Sequence, residues 1–298
     1  MVMTTTTLGA AAALATAFAW SVATLLFKKS GEHISPVALN YFKNVVGLAL
    51  LLVTMLAAGS TLAPEAPLCD LLVLLASGAV GIALADSLFF ASLNMLGAGR
   101  SAIVDCLYAP FVVLFSMAWL GEALRWQGAL GGLLVVGAVL LSSAHVATLE
   151  VPRRQLWLGI AYGALAMALT AAAIVAAKPV LTRYSVLWAT SVRLCGGVAA
   201  LSVYALVHAP TRRVAFRAFL PQRAWRFALP GSIAGAYVAL LFWVAGFKYT
   251  SAAIASILNQ TSTILVVLLA ALFLHERLTP IHALAAALAF IGSVLVLV

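Results

Sequence analysis

The sequence predicts an all-α integral membrane protein of ten transmembrane helices, arranged as two inverted five-helix repeats. Three observations predict this class: a very apolar composition, ten apolar runs of membrane-spanning length, and an internal repeat. Of the 298 residues, 65% are hydrophobic and only 8% are charged, whereas soluble globular chains carry about 25% charged residues. The composition therefore excludes a soluble enzyme, a nucleic-acid-binding protein and a disordered chain.

The ten predicted spans follow from the length that a membrane helix needs, which is about 20 apolar residues. Apolar runs separated by charged residues, proline and glycine fall at 8–27, 36–58, 70–92, 101–119, 127–146, 156–177, 186–208, 227–247, 253–273 and 280–297. Most prolines lie at the edges of these runs or between them, where a missing N–H costs little. Pro110 lies near the middle of the fourth run and predicts a kink or an unwound turn there.

Lys and Arg residues in the connectors set the predicted orientation, because positively charged connectors stay in the cytoplasm. Eleven of these residues lie in odd-numbered connectors and four in even-numbered ones. The membrane is expected to be a bacterial-type inner membrane, which the chain crosses several times. The Lys and Arg count places both termini on the outer side of it. The seventh connector supplies five of the eleven, namely Arg212, Arg213, Arg217, Arg223 and Arg226.

The chain divides into two predicted domains, a first five-helix repeat at 1–149 and a second at 150–298. An offset of 154 residues aligns the last parts of the two halves without a gap, and an offset of 150 residues aligns the first parts, with Lys43 on Arg193. Because each half holds an odd number of spans, the second half must enter the membrane from the opposite side. Inverted repeats recur in secondary transporters, whose substrate sites lie near the midplane between the halves.

A short acidic motif precedes the last helix of each half, LGEAL at 120–124 and LHERL at 274–278. These motifs, each followed by a Gly/Ala-rich helix, resemble the EamA family of the drug/metabolite transporter superfamily, most closely its YddG-type exporters of aromatic amino acids. The resemblance covers nearly the whole chain and implies a ten-helix inner-membrane carrier that exports amino acids or related metabolites. The small four-helix multidrug members of the superfamily use a carboxylate in their first helix, and residues 8–27 contain none. Their proton–drug exchange mechanism is therefore not implied.

Two carboxylates, Asp86 and Asp105, lie well inside predicted spans, where an ionisable group is costly and by default a candidate for function. Either could bind a substrate ammonium group or carry a coupling proton. Either could instead be a protonated or hydrogen-bonded aspartate that holds helices together. Ser101, Asp105 and Tyr108 share one helix face, because they are spaced i, i+4, i+7.

The repeat places a second polar stripe opposite the first. Asn259 is the repeat partner of Asp105 and is followed by Gln260, while Ser256, Asn259 and Thr263 share a helix face. Two such stripes in inverted halves are expected to converge on a cavity near the pseudo-two-fold axis. The alternative is that these polar side chains only form hydrogen bonds between helices, which is common in membrane bundles.

Two cations occupy matched positions, Lys43 with Asn40 in the second span and Arg193 with Thr190 in the seventh. Together they could hold a substrate carboxylate. Each lies about 10 Å from the start of its helix, at 1.5 Å per residue, so each could instead extend to the membrane surface. The spacing leaves the two possibilities open.

Trp20 and Trp243 lie deeper than the tryptophans at span ends. They could line a pocket that accepts an apolar or aromatic group, or they could pack in the core.

A carrier is the function class that these features favour. The sequence has no zinc motif of the H-E-x-x-H type and no G-x-S-x-G nucleophile motif, so no enzyme activity, metal or cofactor is predicted. The predicted partners are a small-molecule substrate, an amino acid or metabolite, and membrane lipids. We expect no nucleic-acid partner. We expect the protein to be a monomer. Spans three and four would form one moving lid around the cavity, and spans eight and nine the other. The runner-up is a multidrug or organic-cation exporter of the same fold.

Overall fold

The computed structural model describes residues 5–59, 65–120, 126–144, 152–250, 255, 258–274 and 279–297, and every regular element within them is helical. In chain order the helices are α1 (Thr5–Ser30), α2 (Pro36–Ala57), α3 (Leu68–Leu96), α4 (Ala98–Asp105), α5 (Tyr108–Leu120), α6 (Trp126–Ala144), α7 (Arg153–Leu181), α8 (Val186–Val207), α9 (Ala209–Ala218), α10 (Trp225–Tyr249), α11 (Thr261–Phe273) and α12 (Pro280–Leu297).

Seven helical segments in the described part of the chain are long and apolar enough to cross a membrane: α1, α2, α3, α4 with α5, α7, α8 and α10. Shorter apolar helices cover Thr261–Phe273 and Ala283–Gly292. Large apolar side chains such as Phe18, Leu133 and Leu272 point away from the protein, as lipid-facing side chains do. The structure is thus an all-helical membrane bundle, and the total of ten spans stays a prediction.

Matched close contacts relate the two halves of the bundle. A Cβ atom placed on Gly47 would lie 2.8 Å from the Cβ of Ala236, and one placed on Gly197 would lie 2.9 Å from Ile82. The glycines are 150 residues apart, and their partners are 154 residues apart. The same helix contact is therefore made twice, with the roles of the halves exchanged. Small residues at such crossings let the backbones approach closely, which is how membrane helices associate.

Two π-helical segments interrupt the long helices at equivalent levels. Ala79–Leu84 lies within α3 and Ile233–Ala239 lies within α10, and their first residues are 154 positions apart. A π turn accommodates an extra residue at the expense of regular backbone hydrogen bonding, and it occurs mostly at functional sites. Both segments face the centre of the bundle.

The fourth span is broken, but the break lies before Pro110. α4 ends at Asp105 and α5 begins at Tyr108. In the turn between them the N–H groups of Cys106 and Leu107 donate to carbonyls three residues back, at 3.2 and 3.0 Å. Pro110 occupies the first turn of α5, where a helix does not use its N–H groups internally. The ninth span has a similar break, because α11 begins immediately after Gln260. The Gln260 carbonyl accepts from the N–H of Thr263 at 3.0 Å.

Candidate functional site

A cavity of about 170 Å³ lies at the centre of the bundle between the two halves. Nine residues that the sequence singled out line it: Trp20, Lys43, Asp86, Asp105, Tyr108, Arg193, Trp243, Asn259 and Gln260. They come from both repeats and from helices that cross at the pseudo-two-fold axis. The volume is slightly above the roughly 150 Å³ of a cavity that admits benzene, so the space suits a small molecule.

Lys43 is neutralised inside the protein. Its Nζ lies 2.7 Å from Asp86 Oδ2 and donates to Asn44 Oδ1 at 2.9 Å. The Lys43 side chain is almost fully buried, and that of Asp86 is one-fifth exposed, toward the cavity. Lys43 therefore does not extend to the membrane surface, and its charge is matched by a carboxylate on α3.

Asn40 supports this ion pair from behind and does not line the cavity. Its Nδ2 donates to the carbonyls of Ile82 and Ala83, at 2.8 and 2.9 Å, within the π segment of α3. Its Oδ1 accepts from Asn44 Nδ2 at 2.7 Å. Asn40 thus bonds the backbone of the π segment directly, and Ser87 Oγ donates to the same Ala83 carbonyl at 2.6 Å. Asn40 thereby fixes the position of α3, which carries Asp86.

Arg193 is the repeat partner of Lys43, but none of the ion pairs among the described residues includes it. Its side chain is 2% exposed, and its Nε and Nη1 form no hydrogen bond to any described residue. Its guanidinium carbon lies 5.2 Å from the ring centroid of Trp243. A cation–π contact of this kind offsets only part of the cost of burying a charge. Arg193 therefore presents unused donors to the cavity, and Thr190 beside it has an unpaired buried hydroxyl.

Asp105 also lines the cavity, at the residue where α4 ends. None of the three ion pairs among the described residues includes it. Tyr108 Oη and both polar atoms of the Asn259 side chain are likewise buried without a hydrogen-bond partner among the described residues. The two stripes predicted to converge thus contribute Asp105 and Asn259 to one cavity.

Sequence comparison places these features in a known family. The model of the EamA-like transporter family matches residues 7–144 and again residues 157–298. The chain belongs to the EamA-like transporter family. This confirms the resemblance to the EamA family, with one match in each half of the chain, while the YddG-type subfamily and the boundary at residue 150 stay predictions. No curated protein matches the sequence significantly.

Solved structures share the fold of this EamA chain. Twenty-seven solved chains match it. One, titled only "Crystal structure of protein", is 20% identical with a TM-score of 0.70, and the match covers 96% of this chain and 95% of that one. At this level of identity the likeness concerns the fold alone.

The EamA chain contains cavity residues that the sequence did not single out, and some of them follow from the repeat. Phe89 is the repeat partner of Trp243, and Thr170 is the repeat partner of Trp20. Applying the two offsets to the tryptophans would have found both. Phe89 packs on Trp20, with ring centroids 5.6 Å apart. Trp20, Phe89, Tyr108 and Trp243 give the EamA cavity aromatic walls.

Four predicted site residues lie outside the cavity lining: Asn40, Ser101, Thr190 and Thr263. Thr263 Oγ1 instead contacts Cys106 Sγ at 3.2 Å and donates to the carbonyl of Ala102 at 3.3 Å. It joins the two broken helices at their crossing, which is the alternative that the sequence left open. Ser256 lies outside the described residues, as do both glutamates of the acidic motif, Glu122 and Glu276.

A polar cluster joins three elements beyond one end of the cavity. Arg183 Nη1 donates to both carboxylate oxygens of Asp70, at 3.2 and 3.1 Å, and Tyr184 Oη donates to Asp70 Oδ2 at 2.9 Å. Lys248 donates to the Tyr184 carbonyl. Desolvation, followed by the hydrogen bond and the charge of Asp70, raises the pKa of Tyr184. We call Asp70, Arg183, Tyr184 and Lys248 the Asp70 cluster.

At the other end of the bundle the corresponding contact is different. Lys28 Nζ donates to the carbonyl of Asn94 at 3.2 Å, which joins α1 to the end of α3. Asn94 is the repeat partner of Lys248. The contacts at the two ends of this EamA protein therefore differ in chemistry, with a carboxylate cluster at one end and a lysine–carbonyl bond at the other.

Proposed function

We propose that this chain is a secondary transporter of a bacterial-type inner membrane that exports amino acids or related small metabolites. The observation that carries the proposal is Arg193, a buried guanidinium that lines the cavity with two donor nitrogens unpaired. A substrate carboxylate would supply the missing acceptors. Charge-assisted hydrogen bonds of this kind are about twice as strong as neutral ones.

The rest of the cavity suits the remainder of an amino acid. Asp105 offers a carboxylate without an ion-pair partner among the described residues, and it can receive an ammonium group. Trp20, Phe89 and Trp243 offer apolar and aromatic surface for a side chain. Lys43 is already neutralised by Asp86, so a zwitterion leaves the net charge of the cavity unchanged. The aromatic walls favour aromatic substrates, in keeping with the likeness to YddG-type exporters.

Transport would proceed by alternating access. The inverted repeats allow the two halves to exchange conformations around one central site. The π segments of α3 and α10 and the breaks before α5 and α11 are the irregular points at which these helices can bend. The orientation proposed from the Lys and Arg count places both termini on the outer side.

Export of organic cations or drugs is the second candidate. Asp105 among aromatic rings is an arrangement that also attracts a lipophilic cation. That function would leave Arg193 unused, and a bound cation would lie in the same cavity as an unpaired guanidinium. The amino acid proposal accounts for both charged groups and is therefore preferred.

The test is uptake and counterflow in proteoliposomes with a panel of amino acids and lipophilic cations. Saturable flux of amino acids with trans-stimulation is the expected result. Arg193→Gln should weaken amino acid transport about tenfold or more, because a charged hydrogen-bond partner is lost. Arg154→Gln, at an exposed position outside the cavity, is the matched control and should have no effect. Competition by lipophilic cations with no response to amino acids would select the second candidate, and flux that does not saturate would contradict both.

A further inference from the structure

The connector between α8 and α10 differs from its counterpart in the first half. It runs from residue 208 to 224 and contains α9, whereas the connector between α2 and α3 covers only residues 58–67. The shorter connector contains no Lys or Arg, and the longer one contains Arg212, Arg213, Arg217 and Arg223. The two-repeat fold therefore does not require α9, which adds a feature to one face of the protein only.

The arginines around α9 form no ion pair with any residue that the structure describes. No Asp or Glu occurs between Glu150 and Glu276, and none of the ion pairs among the described residues includes an arginine of this connector. Arg212, Arg213, Arg217 and Arg223 are all exposed. A cluster of like charges without counter-ions attracts an external anion.

Large apolar side chains alternate with these arginines. Phe216 is 55% exposed and Leu220 is 61% exposed. Arg213, Phe216 and Arg217 are spaced i, i+3, i+4, so they share one side of α9, and Leu220 follows one turn later. We call Arg213, Phe216, Arg217 and Leu220 the α9 surface. A soluble anion would use the charges only, whereas a phospholipid would use both the cations and the apolar side chains.

The position of α9 places this surface at the membrane boundary, because the flanking spans α8 and α10 end and begin within a few residues of it. The opposite side of α9 is fixed to the bundle. Phe219, just after α9, packs on Tyr41 and Phe42 of α2, with ring centroids 5.4 Å apart in both pairs. Trp225 Nε1 donates to the carbonyl of Ala218 at 2.9 Å. The α9 surface is therefore held outward at the depth of lipid headgroups.

We propose that the α9 surface binds the headgroups of anionic phospholipids in the adjacent leaflet. The phosphates pair with Arg213 and Arg217, and Phe216 and Leu220 insert beside the first acyl carbons. α9 packs on α2 and α8, and these helices carry Lys43 and Arg193. A lipid held here therefore stabilises the wall of the transport cavity. This site is separate from the cavity and does not depend on which substrate is carried.

The test uses the full-length protein in non-ionic detergent, titrated with short-chain phosphatidylglycerol or phosphatidylcholine. Binding is followed by native mass spectrometry and by tryptophan fluorescence, because Trp225 packs against the end of α9. Wild type should bind phosphatidylglycerol in preference to phosphatidylcholine. The Arg213→Gln/Arg217→Gln variant should bind phosphatidylglycerol about thirtyfold more weakly, at about 1 kcal/mol for each cation near the lipid surface.

Two further variants keep the result interpretable. Arg153→Gln/Arg154→Gln removes two exposed arginines from the start of α7 and should leave lipid binding unchanged. Arg213→Lys/Arg217→Lys preserves the charge and should retain most of the binding, which excludes misfolding as the cause of a loss. Equal binding of the two lipids by wild type would overturn the proposal. So would an equal loss in the Arg153/Arg154 variant, or displacement of phosphatidylglycerol by equimolar inorganic phosphate.

Discussion

Gln260 Nε2 donates to the carbonyl oxygen of Cys106 at 3.5 Å, and the two residues are repeat partners, 154 positions apart. A residue in contact with its own counterpart must lie at the pseudo-two-fold axis. Cys106 is in the turn between α4 and α5, and Gln260 immediately precedes α11, so the two broken spans cross where each is irregular. If α4 and α5 formed one continuous helix, the N–H of residue 110 would point at the Cys106 carbonyl, and Pro110 has no N–H to place there.

Pro110→Ala should therefore straighten the fourth span. In a straightened span the new N–H would compete with Gln260 for the Cys106 carbonyl. Because Pro110 lies in the first turn of α5, where proline costs little, we expect a thermal stability close to that of wild type, together with slower transport in proteoliposomes. Gln260→Leu is the companion variant and should lose stability by about 1 kcal/mol, as one hydrogen bond disappears. Unchanged transport in Pro110→Ala would show that the break has no part in the transport cycle.

The Lys43–Asp86 pair should behave as a coupled unit. Asp86→Asn leaves a buried ammonium without its anion and should destabilise the protein by about 3 kcal/mol. The double variant Lys43→Leu/Asp86→Asn removes both charges and should be closer to wild type in stability than Asp86→Asn alone. Lys43→Leu is the other single variant of the cycle. Unfolding in mixed micelles measures a double-mutant cycle with an expected coupling energy of about 1–3 kcal/mol. Additive effects would mean that the two side chains do not interact in the membrane.

The sequence predicts much of the framework of the site. Helical periodicity placed Asp105 and Tyr108 on one face, and the repeat offset added Asn259 and Arg193. All four line the same cavity. These predictions depended only on spacing within a helix and on the equivalence of the two halves, both of which survive folding unchanged.

The charge balance of the site could not be predicted in this way. Lys43 and Arg193 are equivalent in sequence, yet only Lys43 has a carboxylate, because Asp86 is 43 residues away on another helix and its repeat partner is Leu240. Which of several polar side chains meet across helices depends on helix rotation, which spacing within one helix does not fix. The role of Asn40 could not be predicted either, because its partners are backbone carbonyls of a π segment. No local sequence pattern predicts that segment.

Gly78 should be the least replaceable small residue in the contact between α3 and α8. A Cβ atom at this position would lie 1.7 Å from the carbonyl oxygen of Arg193, which is backbone and cannot rotate away. Gly78→Ala should therefore cost about 3 kcal/mol or more, at the upper end of overpacking effects, and should displace Arg193. Loss of thermal stability and of amino acid transport are the measurements.

The matched control for this substitution is Gly137→Ala in α6. A Cβ atom at Gly137 would meet nothing within 4 Å. Replacing glycine by alanine in an open helix position stabilises by up to about 1 kcal/mol, so the control should be at least as stable as wild type. If both variants lost stability equally, close contact between α3 and α8 could not be the cause.

The Asp70 cluster should weaken at high pH through Tyr184. Because the pKa of Tyr184 is raised, its hydroxyl stays protonated and donates to Asp70 at every pH below the ordinary tyrosine value of about 10. The stabilisation is complete below that pH and is lost as the pH rises through the raised pKa.

Tyr184→Phe lacks the hydrogen bond at every pH. The difference in melting temperature between wild type and Tyr184→Phe should thus be constant from pH 8 to about 10 and shrink above it. A difference that grew with pH would contradict the raised pKa and the donor role of Tyr184.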